Sequence, residues 1–487
     1  MKKVIPIYYL IFVVTALQFT ALAQQKSQPN LVIIHTDEHN LRTLGAYRET
    51  MSKEQAEIWG EGNIVETPNI DRLANEGAIA LNWYAPSPVC TPSRASMVSG
   101  LYPVATGSPV NDMPLNDEVV TFAQVLKDNG YATAYVGKWH LNGDDKPGFA
   151  PERKFGFSDN RYMFNRGHWK ILGENEDGPF VDQELSKYGG GEWKQNKANK
   201  ENFTTDFLVD KTLEILDRDK NKPFCVMLSL PDPHGPDQVR APYNTMYEHL
   251  QFELPSTATP TKNEIPGWLN LKGKKNKVNP EKLQKSLVNY FGMVKNIDDN
   301  VGRILDYLKE NNLDKNTIVV FTSDHGDLLG EHGKLNKGLP YEMSARVAFL
   351  LRYPDGVSSG KSIQKAFTMA DFTPTILGLM GVDHSANSFH GIDASKDFSS
   401  NKTISDDRVV YLTNAGGRWV AAVNNRYKLV LSPQDKPWLF DLEKDPNELI
   451  NCYNKSEYKE IAKELMDELY AQMKLYKEPL DKAKLKL

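Results

Sequence analysis

The chain has 487 residues, 40% hydrophobic and 25% charged, which suits one large α/β domain with an appendage or two to three ordinary domains. That length and composition exclude a disulfide-stapled mini-protein and wholesale disorder. With 58 Lys and Arg against 63 Asp and Glu, the formal net charge is −5, so no basic excess marks a nucleic-acid binder, and any bound anion must meet a few local positive charges.

The first segment reads MKKVIPIYYLIFVVTALQFTALAQQ. Lys2 and Lys3 precede an apolar run from Val4 to Phe19, and Ala21-Leu22-Ala23 forms a small-x-small cleavage site. Residues 1–23 are therefore expected to be a signal peptide. A membrane anchor is the alternative, since the run approaches the lower length limit for a spanning helix. No cysteine follows the cleavage point, and no later apolar run is long enough to span. The expectation is an exported protein, periplasmic or secreted, without a membrane anchor. Its three cysteines, Cys90, Cys225 and Cys452, are too few for a disulfide framework. Cys225, within PFCVMLSL, reads as a buried strand residue, whereas Cys90 lies in the polar, proline-broken PSPVCTPSR.

Short β-rich runs then alternate with helical patterns, which predicts an α/β fold: a large, mostly parallel sheet sandwiched by helices. Strands are expected at Leu31–Thr36, Ala132–Val136, Phe224–Leu230, Ile318–Thr322 and Val347–Leu351. Helices are expected at Pro68–Glu76 (capped by Thr67), Val119–Asn129, Asp206–Leu216 and Glu281–Asn311. Two polar stretches, Gly143–Glu201 and Gln251–Pro280, read as loop excursions. Beyond residue 383 come short strands, Val409–Thr413, Trp419–Val423, Lys428–Leu431 and Trp438–Asp441, and a helix near Glu457–Leu475. The division expected is 24–382 for the main unit and 383–487 for a smaller α+β subdomain.

Open α/β sheets put their sites beyond the carboxyl ends of the strands. Four predicted strands end in Asp37-Glu38, Gly137-Lys138-Trp139-His140, Pro231-Asp232-Pro233-His234 and Ser323-Asp324-His325-Gly326. Asp37, Glu38 and Asp324 would repel one another at close range unless a cation joined them. Calcium or magnesium suits the oxygen donors, and His325 leaves manganese or zinc open. Arg94, Lys138 and Lys337 can meet an anionic sulfate or phosphate ester, and His140 and His234 can move protons near neutral pH. These residues point to a metal-dependent hydrolase of an anionic ester.

Cys90-Thr91-Pro92-Ser93-Arg94, followed by Ala95-Ser96-Met97-Val98-Ser99-Gly100, resembles the sulfatase signature C-x-P-S-R. LVIIHTDEH, TPNIDRLANEGAIALNWYAPSPVCTPSRASMVSGLYP, GKWHL, TSDHG and NNRYKLV…LFDLEKDPNE extend the resemblance over most of the chain. The family it resembles is that of the formylglycine-dependent (type I) sulfatases of the alkaline-phosphatase superfamily, and a bacterial carbohydrate sulfatase in particular.

The resemblance implies that a maturation enzyme oxidises Cys90 to formylglycine (3-oxoalanine). The hydrated aldehyde then attacks sulfur through one hydroxyl and expels sulfate through the other. It implies one divalent metal, calcium the first candidate, held by Asp37, Glu38, Asp324 and His325 together with the modified Cys90. Arg94 and Lys138 match residues that steady the formylglycine, and His140 matches the base for sulfate release. His234 and Lys337 match groups that hold sulfate and protonate the leaving alcohol. Glu38 and His325 depart from the commonest family residues.

The substrate implied is a sulfated carbohydrate, such as a glycosaminoglycan fragment. The alternatives are a phosphonate or phosphodiester hydrolase of the same superfamily, or a carbohydrate-binding pseudoenzyme, although no expected ligand is missing. His35, His39 and His332 flank the site as supporting or packing residues. Asn165-Arg166-Gly167-His168-Trp169 mixes cation, imidazole and aromatic, a combination suited to a sugar. Arg240 and Arg418-Trp419 are further candidates for shaping the pocket.

Overall fold

A computed structural model describes residues 28–182, 184–185, 191–192, 197–259, 265–270, 278–400, 407–414 and 416–486. The expected signal peptide, 1–23, lies outside the described residues. No helix among the described residues is long and apolar enough to cross a membrane.

A nine-stranded sheet forms the centre. Its strands are β1 (Asn30–Asp37), β2 (Ala78–Tyr84), β3 (Ala132–Lys138), β4 (Asp159–Phe164), β5 (Phe224–Pro233), β6 (Thr317–Ser323), the two-residue Arg346–Val347, β7 (Phe349–Arg352) and β8 (Lys361–Thr368). Across the middle the order is β7-β6-β1-β5-β3-β4, and from β6 to β4 every pairing is parallel. β7 runs antiparallel to both β6 and β2, and β8 runs parallel to β2. The carboxyl ends of β1, β3, β5 and β6 therefore lie side by side.

β1, β5 and β6 are buried at every residue, as expected of strands covered on both faces. Their two-residue period splits the core. Val32, Ile34, Val226, Leu228, Val319 and Phe321 join one cluster, and Leu31, Ile33, Met227, Ile318 and Val320 join the other. Seven helices matter here: α1 (Pro68–Asn75), α2 (Cys90–Ser99), α3 (Phe122–Asp128), α4 (Thr204–Asp219), α5 (Pro280–Glu310), α6 (Phe372–Leu379) and α7 (Lys459–Leu475). α4 and α5 cover the first face, and α2, α3 and α6 cover the second. Each fully buried Leu, Ile or Val contributes about 1.5–3 kcal/mol through the water its side chain no longer orders.

A four-stranded antiparallel sheet follows: β9 (Val410–Thr413), β10 (Val420–Val423), β11 (Tyr427–Leu431) and β12 (Trp438–Asp441), with α7 packed on it through Leu465 and Leu469.

Several local expectations are corrected. Thr67 does not cap α1; its hydroxyl accepts from Gly45 N at 2.8 Å and lies 3.1 Å from the Asp71 carboxylate. The segment expected as one strand at Val347–Leu351 is interrupted at Ala348 and forms two short antiparallel pieces. The Gly143–Glu201 excursion carries β4, which extends the main sheet beside β3, and a hairpin of Leu172–Asn175 with Gly178–Val181. Cys225 is a fully buried residue of β5, as expected.

Candidate functional site

The four strand ends meet in one cluster. Gly137, at φ +103°, approaches β5 so closely that a Cβ would stand 1.9 Å from the Ser229 carbonyl oxygen, so glycine is required just before Lys138. Glu38, Asp112, His140 and Asn336 are non-glycine residues with φ between 61° and 67°. Such conformations typically cost about 1–3 kcal/mol each and persist where surrounding contacts over-determine them.

The floor is built on Asp37 and Asp324, both fully buried. Arg94, reaching up from the second turn of α2, donates through Nε to Asp324 at 2.8 Å and through Nη2 to Asp37 at 3.2 Å. Its Nη1 lies 2.8 Å from both the Lys138 carbonyl and Ser229 Oγ. Lys138 Nζ makes a short ion pair with Asp37. Burial works to raise both carboxyls, yet Lys138 and Arg94 hold Asp37 well below the usual range, and His325 and Arg94 hold Asp324 down.

Cys90 is the first residue of α2 and is almost wholly buried. Its Sγ lies 3.2 Å from His325 Nε2 and 3.8 Å from Asp37 Oδ1. Burial and Asp37 push the thiol up, but Lys138, Lys337 and His325 outweigh them and hold it well below its ordinary range. Burial depresses His325, and Asp324 and Cys90 overcome it to raise the imidazole to about 9.

One ligand atom from each of Asp37, Cys90, Asp324 and His325 falls within 4.8 Å of the others. Glu38 borders this group: its backbone N–H donates to Asp324 Oδ1 at 3.1 Å, and its Oε1 is buried without a hydrogen-bond partner. Oxygen, nitrogen and sulfur donors around a buried, partnerless carboxylate oxygen fit a divalent cation.

The opposite wall is His234 with Lys337. Both approach Glu38 Oε2, His234 Nε2 at 2.8 Å and Lys337 Nζ at 2.9 Å. His234 Nδ1 is 2.8 Å from the Gly235 carbonyl, and its Nε2 lies 2.7 Å from Lys337 Nζ as well as near Glu38. Burial lowers His234, but Glu38 and Asp37 raise it on balance. Glu38 itself is brought down to about 2, burial opposing and His234 and Lys337 prevailing.

His168 completes this wall. Its ring stacks on His234 with centroids 3.5 Å apart and planes 8° from parallel, and its Nε2 lies 2.7 Å from Lys138 Nζ. Burial, His234 and Lys138 all keep it well below its ordinary value, so the neutral ring accepts from Lys138. Asp37, His168 and His234 form a second cluster of ligand-type atoms within 4.8 Å.

Nine of the ten site residues expected from the sequence thus join one contact network. His140 stands beside it, connected through the Thr91 hydroxyl, which donates to the His140 carbonyl at 3.0 Å. Its Nε2 is 2.9 Å from Asp112 Oδ1, and Nδ1 is buried without a partner. Asp112, absent from the sequence-based set, also pairs with Arg166 at 2.9 Å.

The other candidates separate. Trp169 is buried with its Nε1 on the Arg166 carbonyl, so it offers no face to a sugar, and His168 faces the charged cluster instead. Arg240 makes a bidentate pair with Asp206, both bonds 2.7 Å, and braces α4. His39 bonds Thr36 at 3.2 Å, His35 lies 3.5 Å from Ser229, and His332 stacks on Tyr341, all packing roles.

Comparisons with known proteins agree with this architecture. The Sulfatase family model matches residues 29–382, and the model described as N-sulphoglucosamine sulphohydrolase, C-terminal, matches residues 330–475. The N-acetylglucosamine-6-O-sulfatase of Bacteroides thetaiotaomicron is 27% identical, over 93% of this chain and 88% of its own. A protein solved in complex with its substrate D-glucosamine-2-N,6-O-disulfate superposes with a TM-score of 0.72 at 24% identity, covering 93% of this chain and 99% of its own. The phosphonate monoester hydrolase of Agrobacterium radiobacter shares the fold, with a TM-score of 0.71, 20% identity and coverage of 92% and 96%.

Proposed function

The chain belongs to the sulfatase family and is a sulfuric ester hydrolase, and from that premise we propose that it is an exported enzyme removing a sulfate ester from a sulfated carbohydrate. The observation that carries this reading is Cys90 at the start of α2, 3.2 Å from His325 and flanked by Asp37, with the His234–Lys337 wall opposite. The saccharide sulfates named for the relatives support the substrate class.

In this reading Cys90 is matured to formylglycine by a separate enzyme, and its hydrate would supply the nucleophile. Asp37, Asp324, His325 and Glu38, with the modified Cys90, would hold a divalent cation, calcium the first candidate. That cation would supply charge neutralisation at the transferred group.

The remaining work falls to side chains. Arg94 holds Asp324 and Asp37 with one directed hydrogen bond each and is itself fixed by two more, to the Lys138 carbonyl and Ser229 Oγ, so neither carboxylate reorganises during reaction. Lys138 and Lys337 bring two ammonium groups to the cluster where an anionic ester must dock. Burial opposes and Cys90, Glu38 and Asp37 raise Lys337; once Cys90 is matured, Glu38 at 2.9 Å and Asp37 remain to hold its charge. His234, protonated against Glu38, is aligned to give its Nε2 proton to the departing alcohol. His140, its ring oriented by Asp112, serves as the base for sulfate release. The almost complete burial of the floor excludes water that would screen these charges. The chain divides functionally into a catalytic unit, 24–382, and a C-terminal subdomain, 383–487.

Turnover of an aryl sulfate, an aryl phosphodiester and a panel of sulfated mono- and oligosaccharides tests the proposal. Sulfate release from a saccharide supports it. Turnover confined to the phosphodiester or a phosphonate ester would replace it with the phosphonate-hydrolase reading.

A further inference from the structure

Lys337 belongs to a stretch without regular secondary structure, residues 334–341, so its position depends on what holds the backbone. On its amino-terminal side Asn336 N donates to Asp327 Oδ1 at 2.8 Å, and Leu328 N donates to the Asn336 carbonyl at 2.9 Å. On its carboxyl-terminal side the C-terminal sheet supplies side-chain anchors to two carbonyls. The indole Nε1 of Trp419, just ahead of β10, donates to the Gly338 carbonyl at 3.1 Å, and Asn414 Nδ2 lies 3.4 Å from the same oxygen.

Lys428, in β11, donates to the Pro340 carbonyl at 2.8 Å. The ammonium is itself fixed by Glu342 at 2.6 Å and Glu448 at 3.0 Å, and Glu448 accepts the Glu342 N–H at 2.7 Å. Trp419 and Lys428 are both fully buried. Gly338, between lysine and anchors, has φ +87° and nothing nearer its Cβ position than Val89 at 3.9 Å. Leu339 N also donates to Ser344 Oγ at 3.3 Å, but with little packing against Gly338 the bonds to the Gly338 and Pro340 carbonyls are the restraints that the C-terminal sheet adds on this side.

We propose that Trp419 and Lys428 are positioning residues for Lys337, so that the C-terminal sheet sets where the lysine ammonium meets the substrate's sulfate oxygens. This rests on the sulfatase reading for the role of Lys337, while the positioning itself does not depend on turnover. A lysine loosened from Glu38 and His234 loses part of the preorganisation that makes its charge effective.

The test is a double-mutant cycle on sulfate release, with Trp419→Phe, which removes the indole N–H and keeps a ring, and Lys337→Ala. Trp419→Phe is expected to lower kcat/KM about tenfold in the wild-type background and less than about twofold in the Lys337→Ala background, as coupled residues behave. Equal losses in both backgrounds would overturn the proposal. Lys428→Met provides a second arm with the same expectation.

Acylation of Lys337, followed by peptide mass against exposed Lys53, reads the same positioning without turnover. Labelling at least about fivefold faster in Trp419→Phe supports the proposal, because the amine spends more time free of its carboxylate. An unchanged rate in a variant whose buried Lys138 stays protected overturns it. Wild type inert on every sulfate ester would count against the sulfatase reading, and the labelling arm would still decide the positioning.

Discussion

His234 and Lys337 share a single carboxylate oxygen. Their nitrogens lie 2.8 and 2.9 Å from Glu38 Oε2 and 2.7 Å from each other. Glu38, brought down to about 2 with burial opposing and His234 and Lys337 prevailing, remains ionised between them. The arrangement presents the Lys337 ammonium and the His234 ring together at one wall.

The acid role proposed for His234 depends on the leaving group. His234→Ala is expected to lower kcat for a sugar sulfate by about 10²–10⁴, the usual contribution of a positioned acid. For 4-nitrophenyl sulfate, whose phenolate departs without protonation, the loss should be within about tenfold. Equal losses for both substrates would remove His234 from the acid role.

A divalent cation should stabilise the fold through the Asp37–Asp324 floor. Titrating calcium into chelator-treated protein is expected to raise Tm, with about 2.7 kcal/mol gained at a hundred times Kd. Asp324→Asn should abolish the shift by removing a charge from the ligand cluster. A calcium-induced shift of unchanged size in Asp324→Asn would locate the cation elsewhere.

The interface triad of Glu342, Lys428 and Glu448 predicts a pH-dependent stability. Burial outweighs Lys428 and, with Glu342 adding to it, raises Glu448 from 4.5 to about 7. The folded state therefore binds a proton there that the unfolded state has released between those values. Stability is full below about 4.5 and falls as pH rises through about 7, by at most about 3 kcal/mol from one group. Glu342 is shifted the other way, lowered by Lys428 and Arg346 against burial, and weakens the fold only below its unfolded value. Denaturant midpoints between pH 5 and 8 should decline in wild type and decline less in Glu448→Gln. Parallel curves would contradict this assignment.

What could be read from the sequence follows from how each element earns its burial. β1, β5 and β6 are covered on both faces and appear as continuous apolar runs, so their ends, and with them Asp37, His234 and Asp324, were visible. β8, KSIQKAFT, leaves several polar residues exposed or half-buried and reads as loop. β4, DNRYMF, sits in a polar excursion and gains strand geometry by pairing with β3 and bridging to Phe149. His168 was conspicuous beside Arg166 and Trp169, but its partner Lys138 is 30 positions away, so local composition suggested a sugar where the fold supplies a charged wall. Asp112, in the turn SPVNDMPL, carried no signal, because its carboxylate acquires meaning only against His140. Arg240 looked like a pocket residue until Asp206 took both its bonds.

The proposed centre of sulfate ester hydrolysis is Cys90 after its conversion to formylglycine. The most direct measurement pairs the mass of the Cys90 peptide with inorganic sulfate release from sulfated saccharides, for protein produced with its maturation enzyme and for Cys90→Ala. Expected are an aldehyde in place of the thiol, sulfate release by the matured protein, and release abolished in Cys90→Ala. Sulfate release that survives in Cys90→Ala, or that comes equally from protein whose Cys90 is still a thiol, would contradict this role of Cys90.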